Sequence, residues 1–360
     1  MILNRKQNAS LWGLAVVFSG LLFIIVSLTA NEAAGQSTQA GLDPQAYLPA
    51  IIAPPPTPEP PVSSVEALLE ITPSGGINAS TYNPGAFIIT NALNSTARIN
   101  QVVIDLRTAA FPDMVFDPFG TAGDLVAKDV TIDSNPGVVG FTGHSYSSPH
   151  DDGFDVLTLN FNNFDPGEKV LFSVDVDPTT IRGVEAPGPA ESGSVSGLEL
   201  SGATVTVSFA NSLVLSSTTL RMPGSSSGSA ALIRENLPVE PVAEIENIPS
   251  TPATVASANQ VVQISGAPVW STAVVVVIEG GLFTDGLPGG GFDIDPYEAN
   301  SAIKVNEFSL LVNNDGTADI PITLTRTDDD GGLNHILVYL KDYYGYSGPA
   351  SETMILELTP

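Results

Sequence analysis

The stretch KVLFSVDVD, Lys169–Asp177, sets Val170, Phe172, Val174 and Val176 against Leu171, Ser173, Asp175 and Asp177. Alternation of this kind is the period of a β-strand with one buried face, not of a helix. The pattern recurs around it. ALLEITP, AFIITNAL, INQVVIDLR, KDVTID, FDVLTLNF, SGLELSG and ATVTVSFA all read as strands, and PSGG, NPG, DPFG, SNPG and DPGE lie between them. Those spacers carry the Gly, Pro, Asn and Asp that tight turns need. No segment of helical period and useful length interrupts the series. Residues 65–222 are therefore expected to form an antiparallel sandwich of jelly-roll or immunoglobulin-like type.

Residues 223–253, beginning PGSSSGSAALIRENLPVEP, are rich in Ser, Pro and Glu and read as a linker. A second series of strands fills 254–360: QVVQISG, STAVVVVIEGG, KVNEFSLLVNNDG, TADIPITLTRT, NHILVYLKDYYG and ETMILEL. The unbroken apolar run Ala273–Ile278 predicts a central strand covered on both faces, and NNDG at 313–316 predicts a hairpin. The expected fold class is all-β, with two antiparallel sandwiches in series.

Composition narrows the function. The 360 residues include 39 acidic and 12 basic side chains, for a net charge of -27. Such acidity disfavours nucleic acid and anionic membrane surfaces as partners. Cysteine is absent, which excludes disulfides, thiolate metal sites and thiol nucleophiles. At the N-terminus Arg5 and Lys6 precede the apolar stretch Leu11–Ala30, the arrangement of an export signal. Residues 1–35 are expected to act as a signal peptide cut after Gly35, or as an uncleaved anchor of bilayer-spanning length. The chain beyond would then be secreted or held at the cell surface, meeting the membrane only through that segment. Residues 36–64 hold Pro54–Pro56, Pro58, Pro60 and Pro61 and read as a stiff, extended spacer.

The segment HILVYLKDYYGYSGPASETMILEL resembles the last hairpin of bacterial extracellular immunoglobulin-like modules, in which a strand ends in Asp-x-x-Gly before a final alternating strand. Asp342, Gly345 and Ser347 match that pattern, and the resemblance covers Val255–Leu358. The insertion GGLFTDGLPGGGFDIDPYEANSAIK departs from the compact form of such modules. With its spacer, the chain is similar to modular surface proteins in which such sandwiches accompany carbohydrate-binding modules of the malectin type. The resemblance implies a fold and an extracellular setting, not a reaction.

Three stretches are candidate sites. SPHDDGFD offers Asp151, Asp152 and Asp155 beside His150, and GGFDIDPYE offers Asp293, Asp295 and Glu298 after three glycines. Clustered oxygen donors on loops suit calcium, although neither stretch has the spacing of an EF-hand. Zinc at His144, His150 and Asp152 matches no common motif. An acidic turn is the plainer reading of SPHDDGFD, because Asp bonds nearby backbone N–H groups in turns. KDYYGYSG gathers Tyr343, Tyr344 and Tyr346, whose rings are candidates for stacking on sugars. No nucleophile elbow, phosphate-binding loop or isolated acid pair suggests catalysis.

The sequence thus predicts an exported, non-catalytic binding or structural protein. Polysaccharide or extracellular matrix is its expected partner, and calcium its expected stabilising ion. A secreted sandwich hydrolase using acidic loops and a purely architectural spacer are the alternatives. Nothing in the sequence sets an oligomeric state.

Overall fold

The computed structural model describes residues 62–73, 79–179, 182, 195–282, 292–293, 305–326 and 332–359. The chain begins with β1 (Glu66–Ile71), β2 (Phe87–Asn91), β3 (Ile99–Asp105), β4 (Met114–Phe116) and β5 (Thr131–Ile132). Next come β6 (Phe141–His150), β7 (Gly153–Phe164), β8 (Lys169–Ser173) and β9 (Val176–Pro178). Then follow β10 (Thr204–Phe209), β11 (Val214–Thr218), β12 (Leu220–Arg221) and β13 (Ser229–Arg234). The second half holds β14 (Val242–Ile245), β15 (Ala253–Val255), β16 (Asn259–Ser265), β17 (Thr272–Leu282) and β18 (Phe292–Asp293). It ends with β19 (Val305–Leu311), β20 (Ala318–Thr323), β21 (Leu333–Lys341) and β22 (Met354–Leu358). The protein is all-β, and the described residues contain no α-helix.

The first sandwich stacks one sheet in the order β12-β13-β1-β2-β8-β5 on another containing β11-β10-β3-β7, with β4 and β9 continuing it and β6 added at the free side of β7. Alternation decides which side chains meet between them. Leu69, Phe87, Ile89, Val170 and Phe172 from one sheet face Val102, Ile104, Leu157, Leu159 and Val205 from the other, all buried. The Phe87 and Phe172 rings stack at 4.7 Å across paired strands.

The second sandwich pairs the sheet β14-β16-β20 with the sheet β15-β22-β21-β17, to which β18 and β19 add on the far side of β17. Here the run AVVVVI does as expected and leaves no polar face. Ala273, Val275 and Val277 of β17 enter the second core together with Ile336, Val338 and Leu340 of β21. Val274, Val276 and Ile278, with Leu337 and Tyr339, enter the core of the first sandwich instead. One sheet therefore serves two cores. It meets the end of the first sandwich, where His335 stacks on Phe111 at 4.2 Å and its Nδ1–H donates to the Ala110 carbonyl at 2.5 Å. Ala350 N–H donates to Thr218 Oγ1 at 2.7 Å across the same seam. All of these strands belong to one compact unit.

Several local readings need correction. SGLELSG, expected as a strand, is a chain of turns in which Ser201 N–H bonds the Leu198 carbonyl and Ala203 N–H bonds that of Leu200. Its leucines are buried because they plug the end of the sandwich. The stretch 223–253 holds two strands, β13 beside β1 and β14 beside β16, so its Ser and Pro content marks turns around them. NNDG does form a tight turn, with Gly316 at φ 81, but it passes the chain from β19 to β20 in the opposite sheet. A hairpin is not made because each strand already pairs elsewhere, with β17 and with β16. Asp328–Asp330 of the TDDDGG tip, the export segment and residues 36–61 of the spacer lie outside the described residues, while Ser64 at the end of the spacer bonds Glu235 Oε2 through its N–H at 2.7 Å.

Two outcomes follow from the shared sheet. Because β17 and β21 belong to both cores, calorimetry is expected to show one transition whose van't Hoff and calorimetric enthalpies agree. Leu337→Ala is expected to lower stability by about 2–5 kcal/mol and keep it one transition. Burial also drops the His335 pKa from its ordinary value to about 4. Below pH 6.5 the unfolded chain binds a proton that the folded chain refuses until about pH 4. Its share of stability, about 3 kcal/mol at most, is complete above pH 6.5 and lost as pH falls toward 4. Comparing denaturant midpoints of the wild type and His335→Gln across that window reads this share, because the variant lacks it.

Candidate metal centre

Strands β4 and β9 pair so that Val115 lies opposite Asp177. Asp117 directly follows β4, and the chain then loops through residues 118–130 to reach β5, covering β9 on the side away from the apolar core. Asp117 shapes that loop. Its buried carboxylate accepts N–H bonds from Thr121 at 3.0 Å, Ala122 at 2.8 Å and Gly123 at 2.9 Å. Several such donors on one anion fold the segment into a tight cup. The cup carries Asp124 onto β9, where its N–H donates to Asp177 Oδ2 at 3.2 Å and its own Oδ1 accepts from Val126 N–H at 2.6 Å. Further along, the Lys128 carbonyl accepts from Asp175 N–H at 3.0 Å.

Gly123 is what lets the loop come this close. A Cβ there would lie 2.1 Å from the Asp177 Cβ, far inside any real contact.

The result is a group of three carboxylates, Asp124, Asp175 and Asp177, each offering one oxygen, all within 4.8 Å of one another. Their exposures are 4%, 4% and 0%. Asp175 Oδ2 and Asp177 Oδ1 are buried and make no hydrogen bond. Burial pushes the Asp177 and Asp175 pKa values well up, and the neighbouring carboxylates push in the same direction. Asp124 is raised too, chiefly by burial, against the Val126 N–H bond that lowers it. An ionised carboxylate in such a place is costly unless a positive charge answers it. Among the described residues this group can hold a metal ion. The donor set is all oxygen, which suits a hard cation rather than zinc or copper.

The sites proposed from sequence fall elsewhere. Asp151 and Asp152 are exposed and form the two-residue turn between β6 and β7, with φ of 46° and 71°. Two left-handed residues in a two-residue hairpin loop give the twist that flanking strands need, and Asp tolerates that backbone. Asp152 pairs with Arg182 at 3.0 Å. Asp155 turns inward and bonds His150 Nδ1 at 2.8 Å. The zinc candidate His144 bonds Asp129 through Nε2 at 2.8 Å, away from His150. His150 thus lies between Asp155 and Asp151, the latter 3.9 Å from its Nε2, while Asp152 faces Arg182, so the three carboxylates do not converge on one point. Of the second stretch, Asp293 lies in β18, while Asp295 and Glu298 lie outside the described residues.

The tyrosines also divide. Asp342 Oδ1 accepts N–H bonds from Tyr344 and Tyr346, each at 2.9 Å, and Gly345 takes φ 86, which accounts physically for the Asp-x-x-Gly pattern. Tyr346 lies under the Arg234 guanidinium at 4.0 Å. Tyr343 stays exposed, edge-on to Tyr344 at 5.5 Å.

Sequence reasoning missed the cluster because alternation assigns Asp175 and Asp177 to the solvent side of their strand. The loop after β4 covers that side. The available signal was the pairing of Asp-x-Asp in SVDVDP with the Gly-spaced acids of DPFGTAGD, two Asp-bearing stretches far apart in the chain.

No protein-family model matches the chain, and no curated protein is similar to it.

Gly123→Ala tests the close approach directly. Forcing the two Cβ atoms apart is expected to cost at least about 1–3 kcal/mol of stability in denaturant unfolding. The same change at Gly224, where a Cβ meets nothing within 4 Å, adds only the strain of its φ of 78.

Proposed function

We propose that the protein is an exported, non-catalytic binding or structural module whose first sandwich is locked by calcium at Asp124, Asp175 and Asp177. The observation that carries this reading is the pair of buried, unpartnered carboxylate oxygens of Asp175 and Asp177 beside Asp124. Calcium is favoured over magnesium because magnesium keeps several of its waters, and a site of such low exposure leaves little room for them. Calcium accepts carboxylates and carbonyls in flexible geometry. Extracellular fluid supplies it at high concentration, in keeping with the export signal at Arg5, Lys6 and Leu11–Ala30.

The role is one of display or attachment to polysaccharide or matrix, with the Pro-rich stretch 36–64 as the spacer. The fusion of both sandwiches through β17 and β21 supports a stiff unit suited to it. Hydrolysis draws no support from the cluster. Its raised pKa values are those a general acid needs, but Asp177 is fully covered and reaches no substrate.

Thermal unfolding in excess EDTA, in millimolar magnesium and in millimolar calcium tests the reading. A ligand bound only by the folded state stabilises by about 2.7 kcal/mol at a hundred times its dissociation constant. Calcium is expected to raise the melting temperature by several degrees, magnesium to do little, and Asp177→Asn to abolish the shift. Equal melting in EDTA and calcium would contradict the proposal.

A further inference from the structure

Trp270 stands in a position that protein chemistry reserves for glycine. Ser271 N–H bonds the Pro268 carbonyl at 3.2 Å, closing a turn whose third residue is Trp270. Its φ is 71°, the left-handed region that bulky side chains avoid. Strain of this sort persists only where something else requires the residue, and it gathers at functional sites. Core packing is not that requirement, because Trp270 is 69% exposed.

Its surroundings are selective. Val269 beside it is 40% exposed, and Leu311, which pairs with Thr272 at the start of β17, is 53% exposed. Both apolar side chains thus stand exposed beside the turn that carries the indole. The turn of Asn313, Asn314 and Asp315 stands directly alongside, tied in by Ala267 N–H to the Gly316 carbonyl and Val312 N–H to the Ser271 carbonyl, both at 3.0 Å. Gly316 permits that close fit, since a Cβ there would lie 2.9 Å from the Ala267 carbonyl oxygen. Asn313, Asn314 and Asp315 are exposed; Asp315 Oδ1 holds Thr317 N–H at 3.1 Å and the Thr317 hydroxyl at 2.7 Å, so the groups this turn offers a ligand are the Asn314 amide and Asp315 Oδ2.

We infer that Trp270 and the Asn313–Asp315 turn form a binding site for an uncharged polysaccharide. A sugar ring offers an apolar C–H face, which an indole covers, and hydroxyls at its edge, which amides and carboxylates bind. The net charge of -27 turns away polyanionic glycans and anionic membranes. The inference rests on the attachment role proposed above and places its contact on the second sandwich, apart from the Asp124, Asp175 and Asp177 group.

The test measures retention of the protein on cellulose, chitin and insoluble xylan, with alginate beads as the polyanionic counterpart. Trp270→Gly and Trp270→Phe are compared with the wild type, and the melting temperature of each is recorded. The wild type is expected to be retained on at least one neutral glycan and not on alginate. Trp270→Phe keeps part of that retention. Trp270→Gly loses it about tenfold or more while melting higher than the wild type, because glycine relieves the turn. Undiminished retention of Trp270→Gly would overturn the inference and leave the attachment role standing. Failure of the wild type on every neutral glycan would overturn both, without touching the calcium result. A Trp270→Gly variant that melts lower would make the indole structural and overturn the inference. So would self-association of the wild type, seen by light scattering, that Trp270→Gly abolishes.

Discussion

The strand pair β17–β21 has no face left for water, and the rest of the architecture follows from that. A lone sandwich leaves the outer faces of its sheets to solvent and alternates its residues accordingly. Val274, Val276 and Ile278 break that rule, as do Leu337 and Tyr339, and they need a second apolar surface. The end of the first sandwich supplies it, through Leu106, Ala109–Phe111 and Leu198–Ala203. Neither half can bury this surface alone. The seam also accounts for a fully buried histidine in a chain of three: His335 is matched there by the Phe111 ring and the Ala110 carbonyl.

The other face of β9, under the loop after β4, holds the opposite extreme. Where β17 buries only hydrocarbon, the loop after β4 buries acid upon acid. Asp117 is answered by four backbone N–H groups, those of Phe119, Thr121, Ala122 and Gly123, so its charge is well housed. Asp124, Asp175 and Asp177 lack comparable compensation, and two of their oxygens have none. Either protons or a cation must neutralise them. Protons would let one carboxyl donate an O–H to its neighbour; a cation would instead give all three oxygens a positive charge to coordinate. A bound cation would on the proposed reading be part of the fold rather than an addition to it, stiffening loops in a chain whose lack of cysteine leaves it no disulfides.

Much of the fold was legible in the sequence. Period-two alternation found the strands with one buried face, as in KVLFSVDVD, and the unbroken AVVVVI run announced a strand covered twice. What it missed has physical causes. Strand β6, FTGHSYSSPH, is an added edge strand with half-exposed residues, so it carries little apolar signal. SGLELSG alternates, but its leucines plug a sandwich end, which a turn does as well as a strand. The site itself was the hardest part. Asp151 and Asp152 attracted attention by density, yet density is what a two-residue hairpin turn produces. Asp175 and Asp177 looked like the wet side of a strand, and only the fold of the loop bearing Asp117 and Asp124 makes that side dry.

A crystal structure grown in calcium, with anomalous data, decides whether the buried acids hold an ion. One anomalous peak is expected among Asp124, Asp175 and Asp177, with oxygens at about 2.3–2.6 Å and Asp175 Oδ2 and Asp177 Oδ1 among them. A peak-free cluster in which the same carboxyl groups share protons through short O–H···O contacts would contradict the calcium-locked fold.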